Sequence, residues 1–437
     1  MHLYELTAAE AAERIRSRSI SSVELVEALL ARIEATEGRI RAWETLTPEL
    51  ALARARRADQ ALRGGRVRLG ALHGVPFGVK DIIATAGVRT ACGFAPFDRR
   101  IPTRNAEVVA RLQREGAILL GKTVTTQFAW LQPPVTRNPW ALDRTPGGSS
   151  SGSAAAVAAR HVPFALGTQT AGSTLRPAAY NGVVGFKPSM GRMSTRGIFP
   201  LARTLDHPGC IARSVEDCAL FLAIAGARGE GTSEAVTRTT DRAPRLGLIR
   251  EAVDRSSPFV AATFDALVKK FSALGCEVAE VALDVPLAIA IPAHRTTINY
   301  EAALLHMRLM KEYPAEAYAP RTLELVEAGK AVSRAAYLQA QADRKRFMDC
   351  LQSATSEIDA LILPTAADVA PIAETTGDPS LQTPFTFAGV PAITLPCALS
   401  PEGLPVGLEL IGRHGNDEQL LAVAAWCERQ LPRLPAP

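Results

Sequence analysis

The sequence predicts an α/β fold, a single large domain in which helices cover both faces of a mixed, twisted β-sheet core. Three observations predict it. Amphipathic helical segments alternate with short apolar strands along most of the chain, no Pro/Ser linker divides it, and no internal repeat is visible. With 437 residues, 47% apolar and 21% charged, the chain has enough material for a sizeable core.

Residues 7 to 63 read as helices, since "TAAEAAERIRS" and "SSVELVEALLARIEAT" repeat apolar residues every three or four positions after a Ser/Thr cap. "HGVPFGVKDII" breaks that period and predicts a short buried strand ending at Lys80-Asp81. "AEVVARLQREGAILLGKT" reads helix, Gly stop, strand. Its second half, Gly116 to Thr123, matches the letters of a phosphate-binding GxxxxGK[ST] loop, but Ala-Ile-Leu-Leu in the middle wants to be a core strand. Residues 145 to 220 are dense in Gly, Ser, Thr and Pro and predict a loop-rich catalytic core. Beyond 225 the pattern is α/β again. "RLGLI", "CEVAEVAL" and "DALILPT" read as strands, "SPFVAATFDALVKKFSALG" and most of 298 to 355 as helix, and "DEQLLAVAAWCERQL" as a closing helix. Within the one domain this gives four stretches: N-terminal helices (1–65), catalytic core (66–225), a variable substrate-side region (226–355), and C-terminal strands with a helix (356–437).

Composition excludes several function classes. A net charge of +5, with no basic run interleaved with aromatics, speaks against nucleic-acid binding. The N-terminus lacks an apolar signal core, and no apolar run is long enough to span a bilayer, so no membrane role and a cytoplasmic location are expected. Seven dispersed cysteines without a CxxC pair fit reduced thiols. Seven scattered histidines without HExxH or similar spacing give no metal site.

Two small-residue loops carry the chemistry. "TPGGSSSGSAAAVAAR" (145–160) is a Gly-Ser turn entering a small-residue helix that is apolar all round and hence buried. Such a turn places unpaired N–H groups and the positive helix end inside the protein. Ser149, Ser150, Ser151 and Ser153 stand there either as caps or as reactive hydroxyls. The second loop, "TQTAGS", holds Ser173, and its small residues allow successive N–H groups to converge as an oxyanion hole requires. A serine nucleophile needs a base. No histidine lies in either loop, and His161 and His207 read as structural. Lys80, in "GVPFGVKD", is the unexplained polar residue in an apolar setting. Burial lowers a lysine's pKa, and a neutral amine can accept a serine proton.

These residues carry a resemblance. The chain resembles the amidase signature family almost end to end, through "ISSVELVEALLARIEA", "GVPFGVKD", "NPWALDRTPGGSSSGSAAAVAA", "TAGSTLRPAAYNGVVGFKPSMGRMSTRGIFPLARTLDHPGCIARSVEDCA" and "AGVPAITLPCALSPEGLPVGLELIG". The resemblance implies a Ser–cis-Ser–Lys triad with Ser173 as nucleophile, Ser149 as the serine on a cis peptide and Lys80 as base; Ser149 and Ser173 stand 24 residues apart, as in the family. It implies an oxyanion hole from the backbone of Thr170, Ala171, Gly172 and Ser173, support from Gly148, Ser150, Arg176 and Asp206, and no metal, nucleotide or organic cofactor. The chain departs from the common pattern at Gln169 and Ala171, where many members read D-x-G-G-S, and at Leu175, where an arginine is usual and Arg176 follows one place later. Ser151 replaces a Gly, and Gln127 stands where an acid is common. Ala171 requires a loop that accepts a Cβ, with φ negative.

The implied activity is hydrolysis of small amides, and of carbamates, which pass through the same tetrahedral intermediate. Trp130, Leu131, Phe97 and Phe199 lie in matched loops and would suit apolar or aryl groups, though core packing explains them equally. The expected partner is a small-molecule substrate, and the expected state a monomer or homodimer. Two alternatives stand beside this: the A subunit of a glutamine-dependent aminoacyl-tRNA amidotransferase, and a catalytically inactive binding protein of the same fold. Retention of Lys80, Ser149 and Ser173 together speaks against the second.

Overall fold

The computed structural model describes residues 2–64, 69–226, 242–283 and 287–437. Residues 65–68, at the expected boundary between N-terminal helices and core, and 227–241 and 284–286, in the expected variable stretch, lie outside the described residues. The described chain forms one α/β domain around a single 11-stranded sheet. Its strands are β1 (Trp43–Leu46), β2 (Pro76–Lys80), β3 (Ile118–Thr123), β4 (Phe164–Gln169), β5 (Val184–Lys187), β6 (His207–Ala212), β7 (Arg245–Leu248), β8 (Glu277–Glu280), β9 (Ala360–Pro364), β10 (Ala392–Leu399) and β11 (Pro405–Ile411). They run in the order β1-β3-β2-β4-β6-β5-β10-β11-β9-β7-β8. The parallel pairs β2–β3 and β2–β4 on one side and β7–β9 and β7–β8 on the other are separated by a run of antiparallel pairs from β4 to β9, so the sheet is mixed.

The two central β-strands nearest the site, β2 and β4, are buried along their whole length. Strands covered on both faces read as continuous apolar runs, which is why "VPFGVK" was legible. Two sequence expectations need correction. The stretch 7–63 is not helical throughout: β1 interrupts it and pairs antiparallel with β3. The stretch 145–220 is less loop than composition suggested. It contains β4, β5, β6 and the helices Ser151–Ala158, Leu175–Tyr180 and Val215–Ala225. Gly in "FALGTQ" hid β4, because the serine loop lies too close over the strand there for a larger side chain; a Cβ on Gly167 would lie 2.9 Å from Ser150 Oγ. The phosphate-loop lookalike is β3, buried at all six positions, as its apolar middle required. All seven cysteines are free and buried. Among the described residues no helix is long and apolar enough to cross a membrane.

Candidate active site

Lys80 ends β2, flanked by β3 and β4. The side chain is fully buried, and Nζ donates to Ser149 Oγ at 2.7 Å and to Thr168 Oγ1 at 2.8 Å. Burial pushes this amine well below the ordinary lysine range; the Asp206 carboxylate pulls it weakly back up. Both polar partners of this amine are hydroxyls.

Ser149 follows a cis peptide bond, Gly148–Ser149, and sits two residues before the buried helix Ser151–Ala158, next to its cap residue Ser150. That helix comes close to its neighbours because its second residue is glycine: a Cβ on Gly152 would stand 2.2 Å from the Ala42 carbonyl and 2.4 Å from the Val124 nitrogen. The loop is tied on three sides. Thr126 N–H donates to the Ser149 carbonyl at 3.4 Å, Ser150 N–H to the Ser173 carbonyl at 3.2 Å, and Arg176 Nη2 to the Gly148 carbonyl at 2.8 Å. Ser150 Oγ accepts the Thr168 N–H at 3.2 Å, so that hydroxyl braces β4. Arg176 is buried and also donates through Nε to the Thr376 carbonyl at 2.7 Å. Its guanidinium is therefore a tie between loops.

Ser173 lies in the turn between β4 and the helix Leu175–Tyr180 and is 9% exposed. Gln169, at the end of β4, accepts the Thr174 and Leu175 N–H groups on Oε1 at 2.9 and 3.0 Å, satisfying two orphan donors of the helix start. Ala171 is absent from the positive-φ residues, so its Cβ is accepted in the manner expected. Gly172 has no such room: a Cβ would meet Gln382 Oε1 at 2.5 Å and Arg176 Nη1 at 2.8 Å. Among the described residues, the N–H groups of Ala171, Gly172 and Ser173 meet no protein acceptor. Thr170 Oγ1 donates to Asp206 Oδ1 at 2.6 Å, and Asp206 also accepts the Leu201 and Ala202 N–H groups at 3.0 and 3.2 Å. Burial raises that carboxyl to about 6 against the lowering effect of these donors.

The expected substrate-side residues separate into two places. Trp130 is half-buried and Leu131 exposed; the Thr126 hydroxyl bonds to the Trp130 carbonyl and the Thr126 N–H donates to the Ser149 carbonyl, which links this stretch of chain to the serine loop. Phe97 is buried in an aromatic cluster with Phe94, Phe128 and Tyr313. Phe199 packs 6.0 Å from Phe97 and also walls a small cavity with Thr168, Thr170 and Asp206. Gln127 spends its amide on the Ala319 N–H (2.8 Å) and the Ala317 carbonyl (3.4 Å). His161 binds Thr36 Oγ1 at 2.7 Å and His207 the Leu205 carbonyl at 2.6 Å, both buried and both held low by desolvation. Among the described residues no group of three His, Cys, Asp or Glu side chains is arranged to hold a metal.

Sequence reasoning missed Thr168, His294 and Thr386. Thr168 shares Lys80 Nζ with Ser149; His294 Nε2 lies 2.7 Å from the Thr170 carbonyl; the Thr386 hydroxyl donates to the Ala171 carbonyl at 2.5 Å. A lone histidine in "PLAIAIPAH" was the signal available for the second. Nothing local marks the other two.

A family model described as Amidase matches residues 24–421. Curated relatives include the A subunit of the glutamyl-tRNA(Gln) amidotransferase from Roseiflexus castenholzii, 36% identical over 96% of this chain and 95% of that one. Its counterpart from Geobacter metallireducens is 34% identical over 97% of both. Among solved structures, one described as an amidase superposes with a TM-score of 0.90 at 34% identity, covering 98% of this chain and 100% of the other. The peptide amidase of Stenotrophomonas maltophilia gives 0.85 at 29%, covering 99% and 98%. Matched nearly end to end in sequence and in fold, the chain belongs to the amidase signature family.

Proposed function

We propose that the chain is an amidohydrolase that cleaves the C–N bond of small amides through an acyl-enzyme on Ser173. One observation carries this reading: a fully buried Lys80 amine 2.7 Å from the Ser149 hydroxyl, held low by desolvation. Lys80 takes the Ser149 proton as Ser149 takes that of Ser173. Ser173 Oγ adds to the substrate carbonyl, and the oxyanion meets N–H groups of the Thr170–Ser173 loop. The proton returns by the same path to the leaving nitrogen and the C–N bond breaks; water then adds to the ester, giving its proton to the same relay, which returns it to Ser173 Oγ as the C–O bond breaks. Each donor to the oxyanion is worth about 10²–10³ in rate.

Trp130 and Leu131 on the stretch linked to the serine loop, with Gln127 internally satisfied, support apolar or aryl substrates. A carbamate fits the same steps. The names of the curated relatives favour a second reading, in which the chain is one component of an amidotransferase and acts with partner chains. A release assay separates them, with an aliphatic amide, an aryl anilide, an aryl carbamate and glutamine as substrates and Ser173→Ala as control. Turnover of anilide or carbamate by the purified chain, lost in the control, supports the stand-alone hydrolase. Turnover of glutamine alone, or only with partner chains, replaces it by the amidotransferase reading.

A further inference from the structure

We infer that His294 and Thr386 are positioning residues that aim the Ala171 and Gly172 N–H groups at the reacting carbonyl, and that Gln169 sets the direction of the Thr386 hydrogen. The inference rests on the hydrolase reading above and adds how its oxyanion hole is held.

The argument is one of peptide geometry. In a trans peptide the carbonyl of one residue and the N–H of the next point in opposite directions. The only cis bond among the described residues is Gly148–Ser149, so the peptides of the 170–173 loop are trans. His294, on the helix Leu287–Leu309, holds the Thr170 carbonyl at 2.7 Å. A carbonyl can only accept, so His294 carries hydrogen on Nε2. The Ala171 N–H is thereby turned away from His294. Thr386, on the helix Thr383–Ala388, holds the Ala171 carbonyl at 2.5 Å and turns the Gly172 N–H away from that helix. The Arg176 N–H holds the Gly172 carbonyl at 3.0 Å and does the same for the Ser173 N–H. The first two supports stand together, since the His294 ring meets Phe387 edge-on at 5.9 Å. Three consecutive carbonyls are thus held by donors from behind, and the N–H groups these carbonyls orient, those of Ala171, Gly172 and Ser173, meet no protein acceptor among the described residues.

Gln169 closes the arrangement. Its Oε1 faces the Thr174 and Leu175 N–H groups, which fixes which end of the amide is which. Its Nε2 therefore donates to Thr386 Oγ1, at 2.9 Å. A hydroxyl has one hydrogen, and with Gln169 already a donor, that hydrogen is left for the Ala171 carbonyl. A glutamate at 169, of the same length as the glutamine, would present an oxygen in place of Nε2, accept the same hydrogen and leave the Ala171 carbonyl without its donor. Burial holds His294 low, near 4, so it serves as a neutral donor at ordinary pH.

The test compares His294→Ala, Thr386→Val and Gln169→Glu with the conservative variants His294→Gln, whose Nε2 reaches a similar place, and Thr386→Ser. Each is assayed for kcat and KM on the best substrate of the panel. Each is also assayed for affinity toward a boronic acid bearing that substrate's acyl group, which forms a tetrahedral adduct on the serine, and toward an unreactive ketone of the same shape. The expected result is a kcat loss of about ten- to a hundredfold in the first three variants, with KM moving less than about threefold. Boronic acid affinity should fall in parallel and ketone affinity should hold, with His294→Gln and Thr386→Ser recovering most of the loss. Unchanged kcat in both His294→Ala and Thr386→Val, or a loss that appears in KM alone with boronic acid binding intact, overturns the inference. Ser173→Ala keeps the two levels apart. If that variant turns over, the hydrolase reading itself fails; if it is dead while both positioning variants run normally, only this inference falls. Should His294→Ala not fold, Thr386→Val, of nearly the same shape and on a separate helix, decides.

Discussion

Two buried lysines on neighbouring parallel strands have opposite fates. Lys80 on β2 and Lys122 on β3 lie one register step apart, Val79 opposite Lys122 and Lys80 opposite Thr123. Neither side chain has solvent exposure. Lys122 donates to the Ile83 carbonyl and Thr90 Oγ1, both at 2.7 Å, and meets Asp81 Oδ1 at 3.2 Å. It is lowered only to about 8, burial being opposed by that carboxylate. Lys80 meets two hydroxyls and falls much further. Asp81 is Lys80's own neighbour in sequence, yet residues next to each other in extended chain point to opposite sides, so it serves the other lysine. Burial alone drives both amines toward neutrality; the partner decides whether the result is a structural ion pair or a base.

The comparison breaks most visibly in activity. Lys80→Met should lower kcat by at least ~10⁴-fold with folding retained, whereas Lys122→Met should leave kcat within a few-fold. Comparable losses in the two variants would mean that Lys80 is not special. Lys122→Met should instead appear in the urea midpoint, since breaking a buried pair and stranding Asp81 costs about 3–5 kcal/mol. On the stretch linked to the serine loop, Trp130→Ala should raise KM for an aryl amide about tenfold, a loss of ~1.4 kcal/mol, while Phe97→Leu in the aromatic cluster moves neither constant. The smallest effect sharpens the electrostatics. Activity should fall in acid as Lys80 gains its proton. Asp206 favours the charged amine, so Asp206→Asn lowers the Lys80 pKa further and moves the acid limb of kcat/KM to lower pH. A shift to higher pH would show that Asp206 acts mainly through Thr170.

What could be read from the sequence was whatever depends on near neighbours. The helices before residue 64, β2 with its terminal lysine, and the two serine loops each announce themselves by period or by residue type. The resemblance then linked Lys80, Ser149 and Ser173, which local patterns left open. The strand β4 was lost because glycine there answers to Ser150 and Thr174 lying close over the strand, not to any strand preference. The supports of the nucleophile loop were invisible for a different reason: His294 and Thr386 lie 124 and 215 residues from the carbonyls they hold. Among the aromatics, Phe97 and Trp130 look alike in sequence, and only packing separates a core ring from a half-buried one.

The Arg176 tie has a consequence for biosynthesis. Lys80, Ser149 and Ser173 leave the ribosome early, but Arg176 finds its Thr376 carbonyl, and Gln169 its Thr386 hydroxyl, only after another 200 residues have followed. A nascent chain that has exposed all three side chains therefore still lacks these two ties until its later part arrives.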